Sequence, residues 1–223
     1  MATFVIVHGA FDGGWAWRQV AAHLRVAGHE VFTPTLTGSG ERVHLARPDI
    51  DLNTHIQDIV NVLLYEDVRD VILVGSSNAG MVITGVADRM TDRIGRLVYL
   101  DALVPRDGET AMDLLGSMAA SVLDRAREPG AWRIQHDPPD ADRRTDVMLA
   151  ALMSPLKLRH PVTVPCLFIH CTAKPADSPA KPVFETMAAR AREAGWDYRE
   201  LKADHWPPLE NPREVAELLL EVV

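Results

Sequence analysis

Two adjacent serines close a short apolar run, Val71-Ile-Leu-Val-Gly-Ser-Ser-Asn-Ala-Gly80. A serine hydroxyl becomes a nucleophile on an open α/β sheet when a sharp strand-to-helix turn lifts its Oγ above the strand ends. The turn brings strand and helix so close that the residues two before and two after it must be small. Ser77 meets this condition, with Gly75 before it and Ala79 and Gly80 after it. Ser76 fails it, because Val74 and Asn78 flank it. The blander reading is a plain turn whose serine caps the next helix.

A neutral serine is a poor nucleophile and needs a base within hydrogen-bond reach, which in turn needs an orienting carboxylate. Of the nine histidines, only His205 lies in a loop directly after the last predicted strand, in Lys202-Ala-Asp-His-Trp-Pro-Pro208, where the prolines fix its mount. For the acid, Cys171-Thr-Ala-Lys-Pro-Ala-Asp-Ser178 offers Asp177 in a polar loop after the fifth strand. Asp101, which ends the fourth strand, competes with it; Asp204 is too close to His205 in the chain to turn onto its ring. The oxyanion of such a reaction needs two backbone N–H donors. Asn78, next after the serine, supplies one. The loop His8-Gly-Ala-Phe-Asp-Gly-Gly-Trp15 supplies the other, from Ala10 first and Phe11 next, with Phe11 also expected against substrate. Gly9, Gly13 and Gly14 fit no phosphate-binding pattern.

These residues must be carried by a scaffold. Apolar runs at Phe4 to Val7, Glu30 to Thr33, Val71 to Val74, Arg96 to Leu100, Cys166 to Ile169 and Asp197 to Leu201 alternate with helical stretches. The helices are expected at Trp15 to Ala27, Asp51 to Tyr65, Gly80 to Met90, Val183 to Ala194 and Pro212 to Val222. Alternation of this kind predicts a mostly parallel sheet of six strands flanked by helices, in one domain. The interval from Leu100 to Val164 is too long for a βα connection. It holds helix-like runs at Met112 to Ala126 and Asp142 to Leu152, and reads as a cap of about residues 105–162 inserted after the fourth strand. Met112, Met118, Met148 and Met153 should mostly fill gaps under it, with one or two softening a pocket wall.

The 223 residues, 47% hydrophobic and 24% charged, suit a globular chain with one substantial core. A formal charge of -8, with Arg interleaved among acids as in Asp88-Arg-Met-Thr-Asp-Arg93, argues against a nucleic-acid surface and for a small-molecule partner. Cys166 and Cys171 are read as buried thiols, with neither disulfide nor metal spacing. The amino terminus carries no signal-peptide pattern and no apolar run is long enough for a membrane span, so a cytoplasmic chain is expected. The apolar cap face leaves a homodimer open.

Taken together, His8-Gly-Ala-Phe-Asp-Gly-Gly-Trp-Ala-Trp17, Leu36-Thr-Gly-Ser-Gly-Glu-Arg-Val-His-Leu45, the serine turn, Leu97-Val-Tyr-Leu-Asp-Ala-Leu-Val-Pro105 and the His205 loop resemble the small α/β-hydrolases grouped with salicylate methylesterases and hydroxynitrile lyases. The resemblance covers nearly the whole chain. It implies an α/β-hydrolase fold with a small helical cap, a Ser-His-Asp triad matching Ser77, His205 and Asp177, and neither cofactor nor metal. Plant-type cyanohydrin-cleaving members place a threonine after the first-strand histidine and a lysine after the catalytic one. Gly9 and Trp206 stand there in this chain, which favours a serine hydrolase cleaving a small, largely apolar ester, thioester or lactone. Bacterial relatives read Gly-His-Ser-Tyr-Gly-Gly where this chain reads Gly-Ser-Ser-Asn-Ala-Gly. The Ser76 and Asn78 departures motivate an alternative, a lyase, dehydratase or cyclase with His205 as base; a non-catalytic receptor on the same scaffold is a third reading.

Overall fold

A computed structural model describes residues 1–126, 130–136 and 143–223. In chain order the elements are β1 (Thr3–Val7), α1 (Arg18–Val26), β2 (Glu30–Phe32), α2 (Leu52–Tyr65), β3 (Val71–Ser77), α3 (Ala79–Arg89), β4 (Ile94–Ala102), α4 (Ala111–Leu115), α5 (Met118–Leu123), β5 (Arg133–Ile134), β6 (Val147–Met148), α6 (Leu149–Met153), β7 (Cys166–Cys171), α7 (Ala180–Glu193), β8 (Asp197–Leu201), α8 (Pro207–Glu210) and α9 (Pro212–Leu220). Six strands form one parallel sheet in the order β2-β1-β3-β4-β7-β8. The chain order reverses on either side of β1, and the carboxyl ends of β1, β3 and β4 lie side by side at the sheet's centre.

The central strands read as continuous apolar runs because helices cover both faces. Successive residues alternate between two cores. Val5, Val7, Leu73, Leu97, Tyr99 and Phe168 face a core shared with α2, α3 and α7. Phe4, Ile6, Val74, Val98, Leu100 and Ile169 face the opposite one, closed by α1 and α9. Complete burial of each Val, Leu or Ile contributes roughly 1.5–3 kcal/mol. Helix α3 is buried along nearly its whole length, from Ala79 to Ala87, which explains its apolar sequence on every face.

Between β4 and β7 the chain leaves the sheet. The run from Met112 to Ala126 does not form one helix: α4 ends at Gly116, whose φ of 53° breaks the helical turn, and α5 follows from Met118. The expected helix from Asp142 to Leu152 is also corrected. Asp142 lies outside the described residues, Val147 and Met148 pair antiparallel with Ile134 and Arg133, and only Leu149–Met153 is helical. The Thr145 N–H donates to the Phe11 carbonyl at 2.8 Å, drawing this stretch onto the loop after β1 rather than into a helix. Met112 and Met148 are buried as expected, Met118 lines a pocket and Met153 is half exposed. Cys166 and Cys171 are free and buried. Among the described residues no helix is long and apolar enough to cross a membrane.

Candidate active site

The site is built at the end of β3. Register with β4 slips between Ser76, which pairs with Leu100, and Ser77, which pairs with Ala102. At that slip Ser77 takes a φ of 54°, a left-handed conformation that costs a non-glycine residue about 1–2 kcal/mol. The surrounding small residues make the turn sterically feasible. A Cβ on Gly75 would lie 3.0 Å from both the Ala79 carbonyl and the Ile83 side chain, and one on Gly80 would overlap the Leu103 carbonyl. A Cβ on Gly9 would press on the Ser77 Cβ at 3.1 Å, so the first-strand loop reaches the serine only because residue 9 has no side chain. The Ser77 carbonyl accepts from the Leu103 N–H at 2.9 Å, tying the turn to the chain leaving β4.

His205 Nε2 lies 3.0 Å from Ser77 Oγ, and its Nδ1 lies 2.7 Å from Asp101 Oδ2. Burial pushes the Asp101 carboxyl up, but hydrogen bonding and charge from His205, together with the Lys174 ammonium, outweigh it and hold the group below the usual carboxylate range. An ionised Asp101 accepts only, so Nδ1 carries the ring proton and the Nε2 lone pair faces the serine hydroxyl. The His205 ring is held from the side by Phe184, with ring centroids 4.3 Å apart, and by Trp206 at 5.5 Å. Pro207 and Pro208, in the first turn of α8, anchor the loop behind it.

The acid is where the leading sequence expectation fails. Asp177 is exposed, because the loop after β7 turns Lys174 inward and carries residue 177 out to solvent. Asp101 occupies the position instead, 1% exposed with a φ of 44°. Its carboxylate also accepts from Lys174 Nζ at 2.7 Å and from the Cys171 N–H at 3.1 Å. Asp204, immediately before His205 in the chain, accepts from the His205 backbone N–H at 2.7 Å. Sequence reasoning missed Lys174 altogether. A signal was present: Asp101 interrupts the apolar run Leu97-Val-Tyr-Leu-Asp-Ala-Leu-Val104, and a carboxylate there must find buried partners.

Ala10, Phe11, Ser77, Asn78 and His205 line one cavity of about 290 Å³. Leu103, Leu115, Met118, Val122, Leu152 and Phe184 make its walls largely apolar, while Arg125 lies over the Phe11 ring at 4.6 Å. Ala10 and Asn78 thus border the serine from two sides, Asn78 at the N-terminus of α3, where backbone N–H groups have no partner within the helix. Phe11 adopts a φ of 69°. His8 stands behind the loop: Leu36 N–H donates to its Nε2 at 3.0 Å, and its Nδ1 donates to the Gly9 carbonyl at 2.8 Å. Desolvation lowers its pKa to about 4, keeping it neutral in this structural role. Asp12, also buried, is raised to about 6 by desolvation, which outweighs its 3.2 Å ion pair with Arg144. Arg144 lies over the Trp206 ring at 4.3 Å. A larger cleft of about 400 Å³, beside Trp15 and Arg18, contains none of these groups. Among the described residues no cluster of three metal-ligating side chains occurs.

Residues 4–218 match the Alpha/beta hydrolase family, and the chain belongs to it. It is 56% identical over 115 residues to the "Carbendazim hydrolyzing esterase" of Nocardioides sp. (strain SG-4G), covering 52% of this chain and 48% of that protein. It is 32% identical over 105 residues to "Salicylic acid-binding protein 2" of Nicotiana tabacum, covering 46% and 40%. These matches span about half the length of the curated relatives or less. The fold is similar to that of an extracellular alpha/beta-hydrolase from a Paenibacillus species, with a TM-score of 0.81 and 24% identity over 99% of this chain and 98% of that one.

Proposed function

We propose that the chain is a serine hydrolase that cleaves small, largely apolar carboxylic esters or close acyl relatives through an acyl-enzyme on Ser77. The observation that carries this reading is the hydrogen-bonded line from Ser77 Oγ through His205 to Asp101, at 3.0 and 2.7 Å, opening into the apolar cavity. His205 Nε2 takes the hydroxyl proton as Oγ bonds to the substrate carbonyl carbon. The Ala10 and Asn78 N–H groups receive the oxyanion, each such donor lowering the barrier by roughly 3 kcal/mol. The carbonyl then re-forms as the bond to the leaving alkoxide breaks and His205 returns the proton to it. Water, deprotonated by the same nitrogen, releases the acid and restores Ser77.

The insertion after β4 acts in this reading as a cap, since Leu115, Met118, Val122 and Leu152 supply one wall of the cavity. The name of the carbendazim-hydrolysing relative supports testing carbendazim first, beside simple aromatic and aliphatic esters, thioesters and lactones. The experiment is fluorophosphonate labelling, followed by turnover of this panel by wild type and Ser77→Ala. An adduct on Ser77 and burst kinetics with an activated ester are expected. Turnover that survives Ser77→Ala, or a folded protein that takes no label, would sink the reading.

A further inference from the structure

The acid of the candidate triad is not paired with His205 alone. Lys174 is buried, its Nζ lies 2.7 Å from each Asp101 oxygen, and it donates to Oδ1 and to the Cys171 carbonyl, the latter at 2.6 Å. The ammonium also lies 5.3 Å from the centre of the Phe184 ring, the same ring that packs against His205. A buried ammonium with these contacts is held in one place. Lys174 does not itself line the cavity, so it acts through Asp101 rather than on a substrate.

We infer that Lys174 is a positioning residue of the active site: it locks the Asp101 carboxylate edge-on and shares its charge, setting how strongly that carboxylate holds a proton on His205. A carboxylate with no other cation would hold the ring as imidazolium and leave less of it free to take the serine proton. With Lys174 in contact, part of the negative charge is already compensated, and imidazolium is favoured less. The remaining charges around the pair are Asp12 from the loop after β1, Asp204 beside His205, and Arg144 over Trp206, with His170 and Cys171 on β7 and Glu210 on α8 further out. The Asp101 carboxylate itself accepts from Lys174, from His205 and from the backbone N–H of Cys171. Lys174 is therefore the charge that a substitution can remove without touching the three reacting groups.

This inference rests on the triad reading above, and the test separates the two. The second-order rate of fluorophosphonate reaction at Ser77 is measured from pH 5 to 9 for wild type, Lys174→Met and Lys174→Gln. Lys174→Gln can keep a hydrogen bond to Asp101 without the charge. In both variants the acid limb should move up by about one pH unit, because removing the cation stabilises protonated His205. The high-pH plateau should fall more in Lys174→Met than in Lys174→Gln. A limb that stays in place in folded, labelled variants overturns the inference and leaves the triad standing. Failure of both variants to fold assigns Lys174 to folding alone and overturns it too. Wild type that takes no label defeats the triad reading, and this one with it.

Discussion

Asp101 and His205, 104 residues apart, meet at 2.7 Å because β4 and β7 are neighbours and the loop after β8 folds back over their ends. The contact assigns the orienting carboxylate to β4 and leaves Asp177 in solvent. Asp101→Asn should lower kcat by about four orders of magnitude, since an amide presents the wrong partner to the ring nitrogen. Asp177→Asn should change kcat less than twofold. Steady-state turnover of an activated ester by the two variants checks both; a large loss in Asp177→Asn alone would reverse the assignment.

Gly80 separates helix α3 from the Leu103 carbonyl with no room for a methyl group. Its backbone neighbours cannot swing aside as a flexible side chain could. Gly80→Ala should destabilise the fold by about 3 kcal/mol, lowering the melting temperature by roughly 10 °C for a chain of this size. Calorimetry gives the answer. A variant as stable as wild type would show that the turn can relax.

His8 is held neutral, its pKa lowered by burial from 6.5 to about 4. Its contribution to stability is present above pH 6.5 and is lost as pH falls through about 4, because the unfolded chain binds the proton first. The shift corresponds to about 3 kcal/mol. Urea unfolding at pH 7 and pH 4 should show that loss in wild type and not in His8→Gln, once the other groups are cancelled by comparing the two proteins.

Asp12 works in the opposite sense over the same range. Burial raises its carboxyl from 3.8 to about 6, so the folded state keeps a proton that the unfolded chain has released. Stability is greatest below pH 3.8 as far as this group is concerned and declines as pH rises through about 6, by about 3 kcal/mol. Asp12→Asn should abolish that decline and unmask the acid sensitivity due to His8. Equal pH dependence in Asp12→Asn and wild type would contradict the burial argument.

Much of this was legible in the chain. The four inner sheet strands fell where short apolar runs lay between turn residues, since burial on both faces leaves no polar alternation to confuse the reading. The edge strands β2 and β8 carry exposed polar residues and were legible from the alternation with helices. Ser77 and His205 were legible because each is fixed by local constraints, small neighbours for one and prolines for the other. The acid was not, because two strands end side by side and each offers an aspartate. The one that turns inward, Asp101, lies against Lys174, a contact that appears only when strands about 70 residues apart in sequence are placed together. The stretch from 143 to 148 misled for a related reason: a helical pattern was overridden by pairing with residues 133–134 and by the hydrogen bond from Thr145 to Phe11.

Phe11 carries an aromatic ring on a backbone geometry, φ of 69°, that glycine would adopt freely. Such a bulky residue is retained at an energetic disadvantage of about 1–3 kcal/mol. An engineer who replaces it with glycine relieves that penalty while hollowing out the cleft and freeing Arg125 from its aromatic perch. Backbone ease and side-chain packing are thereby set against each other at this one codon, since the same change forfeits the ring's packing on the core and on His136.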